Sequence, residues 1–471
     1  MPFSTHPRAS ALDALRDAEP TPFWLTHRDR PDPAPALTGS ATGDLVVVGG
    51  GFTGLWTALL AKQDDPDRDV VLLEAGTVAN AASGRNGGFC ASSLTHGIAN
   101  GVSRYPDEMD RLVALGLANL DEIEKTVADH DIDCGLERTG TLHVATEPHQ
   151  LAWLEQSREL AERHGEPTLL LDRERTRGLV DSPLFLGATL TPSTIMLDPA
   201  RLVWGLLRAC RSLGVRVHER SPVTGLDGAG DDVTVRTAYG SVRARSVALA
   251  TNAFPPLLRR LRKYVVPVYD YALVTEPLTA AQLESVGWAG RQGVSDSGNR
   301  FHYLRLTSDN RVLFGGYDAI YHWNARLGEE LTHRPESYAL LAEHFVQMFP
   351  TLEGVRFTHA WGGVIDTCSR FSAFWGTAER GRVAYALGYT GLGVGASRFG
   401  ARVMLDLLGG HDTERTRLRM VRTRPVPFPP EPLRSIGIQL TQAELARADD
   451  NHGRRGLWLR ALDRLGVGFD S

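Results

Sequence analysis

Between Asp44 and Glu74 the order of apolar and polar residues changes twice within thirty positions. The apolar run LVVV (45–48) is too short for a helix and predicts a buried strand. Glycines follow, and then GLWTALLAK (54–62) predicts a helix that is apolar nearly all round. A second buried run, VVLL (70–73), closes a strand–helix–strand unit, parallel by the right-handed crossover rule. Helical periodicity returns near 107–130, 148–165 and 199–213, where apolar residues recur at three and four. From 264 to 316 short alternating runs such as RFHYLRLT (300–307) and RVLFGGY (311–317) predict a mostly antiparallel sheet. RVAYALGYTGLGVGASRFGARVMLDLL (382–408) returns to strand, glycine turn and helix. A proline-rich arm precedes the first strand, and an amphipathic stretch carrying Trp458, Leu459, Leu462 and Leu465 ends the chain. Thr441 and Glu444 stand in capping-box spacing at its start. Packing on the body or on a second copy is the expected use of that stretch.

At 471 residues the chain exceeds one ordinary domain. A net charge of −5 excludes a non-specific nucleic-acid binder. The four cysteines have no short spacing and no histidine company, so neither a metal site nor a disulfide framework is expected. No apolar run is long enough to span a bilayer, and the first residues lack a signal-peptide core, so a cytoplasmic protein is expected. The motifs of serine hydrolases, zinc peptidases and phosphate-loop nucleotidases are missing.

Gly49, Gly51 and Gly54 spell G-x-G-x-x-G between the first strand and its helix, with Glu74 twenty residues further on. That context makes a common pattern specific. The first glycine allows the turn, the second lets the backbone approach a pyrophosphate, and the third lets helix and strand pack. Free N–H groups of Phe52 and Thr53 would face the phosphates at the helix start. Glu74 would accept from both hydroxyls of an adenosine ribose, which disfavours a 2′-phosphate. A second glycine turn, Gly391, Gly393 and Gly395, precedes another helix. Its dipole would favour the negative charge of a reduced flavin by about 0.3–1 kcal/mol.

VVVGGGFTGL, LLEAG and AASGRNGGF (81–89) resemble the D-amino-acid oxidase/glycine oxidase superfamily, and the SGRNGG form is closest to gamma-glutamylputrescine oxidase-like members. LDPARLVWGLL, ALATNAF, WGGVIDT and the 388–408 segment match in order, over roughly residues 40–410. The resemblance implies an α/β fold: a GR2-type, Rossmann-like FAD domain with an inserted, mostly antiparallel α+β substrate domain. The divisions expected are an arm (1–42), an FAD domain (43–100, 186–264 and 355–410), a substrate domain (101–185 and 265–354) and a C-terminal extension (411–471).

Further FAD contacts implied are Ala75, Ser83, Arg85, Asn86, Gly87 and Gly88 after the second strand, and the backbone at Val223. Thr251 and Asn252 would follow, then Gly388, Gly391, Leu392, Gly393 and Val394. Tyr269, Tyr271, His302, Tyr303, Arg305, Trp361 and Tyr389 lie where members of the superfamily point side chains at the flavin; His302, Arg305, Trp361 and Tyr389 are the leading pocket candidates, without assigned roles. Some members attach FAD to a cysteine, but Gly362 and Gly363 stand at that place and Cys368 comes too late, so non-covalent FAD is expected. Glycine oxidase-like members grip an α-carboxylate with an arginine where Val364 and Ile365 stand here, and sarcosine oxidase-like enzymes use a lysine that RVLFGG lacks. The implied activity is oxidation of a C–N bond of a small amine, with O2 or another acceptor. A D-amino-acid or glycine-type oxidase, an NAD(P)H-using flavin monooxygenase and a non-catalytic nucleotide-binding protein are the alternatives. The last two would show, respectively, flavin bleached by NADPH alone and flavin that no amine reduces.

Overall fold

Parallel pairing builds the first sheet, whose buried runs are apolar on both faces: Leu45, Val47, Val70 and Leu72 pack against helices, and Val46, Val48, Val71 and Leu73 pack with Val233 and Val235 of a hairpin. A computed structural model describes residues 3–464 and 467. In it the strand Gly39–Val48 pairs in parallel with Val70–Leu73 on one side and Gly240–Leu249 on the other. The sheet continues in parallel to Arg216–His218 at one edge and Val383–Leu387 at the other, then turns antiparallel to Phe374–Ala378. A hairpin of Val223–Ala229 and Asp232–Thr237 hangs from Gly240–Leu249. The helix Phe52–Asp64 is buried over most of its surface, between the helices Pro199–Ser212 and Gly393–Gly409. That explains its apolar residues on every side.

The second sheet also has eight strands and is mostly antiparallel. Its order runs Phe357–Thr367, Val266–Thr275, Val312–Gly316, His302–Leu306, Gly293–Asp296, Thr141–Ala145, Gly187–Thr191 and Leu169–Leu171. One neighbouring pair, Gly293–Asp296 with Thr141–Ala145, is parallel. Two strands therefore lie across the domain boundaries read from sequence: Gly187–Thr191 and Phe357–Thr367 belong to this sheet rather than to the first. The proline-rich arm is packed: Phe23 and Trp24 are buried, and Trp24 Nε1 donates to the Asn86 carbonyl at 2.8 Å.

The C-terminal extension forms the helices Leu433–Asp450 and Leu457–Arg464. Thr441 is no cap, because it lies inside the first of these, its hydroxyl donating to the Gly437 carbonyl at 2.8 Å. Leu459 is buried while Leu457 is exposed, and Leu465 falls outside the described residues. Asp449 ties the segment to the body by accepting from the backbone N–H groups of Asn299 and Arg300. No described helix is long and apolar enough to cross a membrane.

Candidate active site

The two sheets and the C-terminal helices enclose a cavity of about 1780 Å³. Cavities for small ligands run to about 1,000 Å³, so this one has room for a dinucleotide and a substrate together.

Its first-sheet end has the cradle a dinucleotide needs. A Cβ on Gly49 would stand 2.3 Å from the Ala250 carbonyl oxygen, and one on Gly54 would stand 1.8 Å from that of Gly49. Both positions therefore require glycine. Gly49 also has φ +112, a conformation that L side chains rarely adopt. The Ser83 hydroxyl accepts from Phe52 N–H at 3.0 Å at the start of the helix. Glu74 accepts from Gly50 N–H at 2.6 Å and Gly76 N–H at 2.8 Å, which fixes its carboxylate while lone pairs remain for a sugar diol. Burial pushes its pKa up, and those N–H groups pull it back. Gly49, Gly51, Phe52, Thr53, Glu74, Ala75 and Ser83 line the cavity. So do Arg85, Asn86, Gly87, Val223, Thr251, Asn252 and the turn Gly391–Val394. Gly54, Gly88 and Gly388 stand behind this lining, shaping the turns. These donors and clearances fit an FAD molecule.

Asp366 positions the second glycine turn. Its carboxylate accepts from Gly388 N–H at 2.6 Å, and its carbonyl accepts from Thr390 N–H at 3.2 Å. Complete burial pushes its pKa up to about 7 against the pull of those backbone donors.

The second sheet forms the floor. One register row crosses five strand pairings: Trp361 opposite Ala272, then Gly315, Tyr303, Ser295 and His143. Gly315 and Gly87 leave space for the Tyr303 ring, which a Cβ on either would strike at 2.5 and 2.8 Å. Held there, the Tyr303 hydroxyl donates to Asp270 Oδ2 at 2.8 Å. Alternation along Val266–Thr275 turns Asp270 toward the cavity. Tyr269 and Tyr271 point to the opposite face, where their hydroxyls hold the loop at Gly328 and Leu331. Burial, reinforced by nearby Asp318, pushes the Asp270 pKa up to about 6 against hydrogen bonds from Tyr303 and the backbone of Tyr271 and Gly316.

Trp361 and Tyr389 line the cavity as the sequence suggested. Trp361 Nε1 donates to the Arg85 carbonyl at 2.9 Å and so joins the floor to the SGRNGG segment. His302 and Arg305 are not brought to the cavity. Alternation puts the fully buried His302 on the far face, between Asp296 at 2.6 Å and His344 at 2.9 Å. Arg305 shares the face of Tyr303, but its guanidinium is spent on the carbonyls of Leu197 at 2.6 Å and Gly88 at 3.2 Å. Burial lowers its pKa to about 10. Sequence reasoning missed Asp270, Asp366 and His143, and it expected a C-terminal amphipathic helix without placing it at the cavity. For Asp270 a signal existed: a lone acid inside the alternating apolar run VPVYDYALV. Outside the cavity, Glu147, His149 and His452 bring ligand atoms within 4.8 Å of one another, a metal-capable group that no sequence spacing reveals.

The family model described as "FAD dependent oxidoreductase" (DAO) matches residues 44–407. Gamma-glutamylputrescine oxidoreductase of Escherichia coli is 34% identical over 398 residues, covering 83% of this chain and 89% of the relative. The probable oxidoreductase OrdL of Haemophilus influenzae is 27% identical over 397 residues, 83% of this chain and 88% of the relative. Among solved structures, glycine oxidase from Geobacillus kaustophilus superposes with a TM-score of 0.68 at 20% identity, over 82% of this chain and all (100%) of that one. L-proline dehydrogenase from P. horikoshii gives 0.66 at 19% identity, over 82% and 96%. At those identities the structures speak for the fold alone.

Proposed function

The chain belongs to the DAO family of FAD-dependent oxidoreductases, and from that premise we propose that it oxidises a carbon–nitrogen bond of a small amine. The observation that carries this reading is the Asp270–Tyr303 pair, an acid and a phenol joined on the floor of the cavity. An anionic acceptor suits an ammonium group, whereas Val364 and Ile365 offer nothing to grip an α-carboxylate. The 34% identical relative is named for a substrate of the amine class, which agrees.

Glu74, Ser83 and the two glycine turns would hold FAD without a covalent bond, and the bound flavin would supply a two-electron acceptor for the hydride on the carbon beside nitrogen. Asp270 binds the incoming ammonium through lone pairs that Tyr303 leaves open, and Tyr303 fixes the carboxylate's direction. A free amine of pKa near 10 lies about three pH units, roughly 4 kcal/mol, from its reactive neutral form at pH 7. The buried carboxylate, raised to about 6, accepts a proton more readily than a surface aspartate does and offsets part of that cost. The C-terminal helices add an apolar wall to the cavity through Leu433, Ile436 and Leu440. The imine leaves the cavity for hydrolysis to a carbonyl product and ammonia or an amine. Dioxygen or another acceptor then takes the electrons.

The test is anaerobic mixing of the yellow protein with amines, polyamine derivatives and D- and L-amino acids. Loss of the visible flavin band with amines, faster as pH rises from 6 to 9, is expected. Bleaching by amino acids alone, or turnover that is flat over that range, overturns the reading.

A further inference from the structure

The floor row does not stop at Tyr303. It continues through Ser295 to His143 and then to Thr189, all of which line the same cavity. His143 is the odd member. Its side chain is exposed, yet what it is exposed to is the cavity, and no hydrogen bond engages its ring. Although the ring is open to the cavity, desolvation by the surrounding protein lowers its pKa, and its nitrogens stand available for a ligand's polar groups. Thr189 and Thr191 stand beside it on the neighbouring strand, and Ser157 lies in the lining helix Gln150–Arg163. Glu166 also lines this end and accepts from the Ser92 hydroxyl at 3.0 Å. Among the described residues, the parts of these strands and this helix that line the cavity carry no lysine or arginine.

We propose that this end of the cavity is a distal subsite for a second N–H-donating group, an amine or amide, at the far end of an extended substrate. The proposal rests on the amine-oxidation reading for the near end. The groups present decide the chemistry: a carboxyl, an imidazole and hydroxyls all accept from N–H, while the arginines that line the cavity, Arg85, Arg300, Arg434 and Arg455, are each paired with an acid (Glu329, Asp449, Glu431 and Asp463). Geometry sets the length. The Tyr303 ring lies over Gly315, so its hydroxyl stands three strand spacings from the His143 column. At about 4.8 Å per spacing that is roughly 14 Å. An extended chain advances about 1.2 Å per bond, so the two ends of the substrate lie about ten to twelve bonds apart.

The experiment is anaerobic binding of α,ω-diamines of four to twelve carbons to the holoprotein, read from perturbation of the flavin absorption. Alkylamines of equal length serve as the reference at each step. A diamine should bind about tenfold better than its matched monoamine at nine to eleven carbons, and no better at four. In His143→Ala, and independently in Glu166→Gln, that ratio should collapse toward one. A ratio that ignores length, no diamine binding, or a ratio intact in both variants overturns the subsite. A length-dependent ratio with a flavin that never bleaches would uphold the subsite and overturn the amine-oxidation reading instead.

Discussion

Replacing Asp270 by asparagine should make the protein more stable and a poorer catalyst at once. The carboxyl is buried and its pKa is raised from 3.8 to about 6, first by desolvation. A group whose folded-state pKa lies above its unfolded value contributes stability that is full below pH 3.8 and lost as pH rises through 6. Two pH units correspond to about 3 kcal/mol at pH 8. Asparagine keeps the shape and can still accept from Tyr303, but it carries no charge to desolvate. Denaturant unfolding should therefore show the variant more stable by about 2–3 kcal/mol at pH 8, and by little at pH 4. Catalysis should move the other way. A hydrogen bond to a charged partner contributes about 1.5–3 kcal/mol and one to a neutral partner about 0.5–1.5. The loss of roughly 1–1.5 kcal/mol is about a tenfold fall in kcat/KM for the amine. Below pH 6 the wild type should lose activity as Asp270 protonates, whereas the variant should lack that acid limb. Stopped-flow flavin reduction across pH 5–9 checks this. An acid limb that persists in the variant, or an unchanged kcat/KM with unchanged stability, would refute the role given to the pair.

Glu74→Ala should release FAD, raising its Kd at least tenfold, because the acceptor for the ribose and the anchor of Gly50 and Gly76 go together; fluorescence of freed flavin on dilution measures it. Acid precipitation should leave FAD in a yellow supernatant, and a yellow pellet would show a covalent bond. Arg305→Met should cost about 1–3 kcal/mol of stability by orphaning the Leu197 carbonyl, whereas the Gly88 carbonyl keeps its bond from Leu197 N–H, with kcat of the folded fraction nearly unchanged; thermal melting and active-site titration separate the two. Asp366→Ala should loosen the turn at Gly388, the backbone bond from Thr390 N–H being kept, and weaken flavin retention without abolishing the fold, checked by FAD content after gel filtration.

The cofactor side of the molecule was legible because its requirements are local. Gly49, Gly51 and Gly54 lie within six residues and Glu74 lies one crossover away, so the pattern shows in sequence even though Gly49 clears Ala250 and Gly51 clears Ser83. The parallel unit follows from apolar runs alone. Errors appear where an element could serve either sheet. The strands Gly187–Thr191 and Phe357–Thr367 stand beside segments matched to FAD-contacting motifs, while they pair with Thr141–Ala145 and Val266–Thr275 much earlier in the chain. Nothing local distinguishes the two assignments.

The substrate side was less legible for a related reason, shown by His302, Tyr303 and Arg305. Three polar residues within four positions of one strand look equivalent in sequence, yet the strand period sends His302 to the far face and Tyr303 to the cavity. Parity alone cannot separate Tyr303 from Arg305, which share a face. What separates them is Gly315 and Gly87, two absent side chains that let the phenol lean toward Asp270, and two carbonyls that consume the guanidinium. A floor assembled from six strands has its chemistry decided by register, and register depends on which residues lack side chains as much as on which carry them. The same logic extends beyond the matched 44–407 segment. Leu433, Ile436 and Leu440 are exposed and line the cavity roof. Apolar residues at those positions make sense only against an occupant, so a substrate lying between that roof and the His143 row would be apolar along its length and polar at its ends.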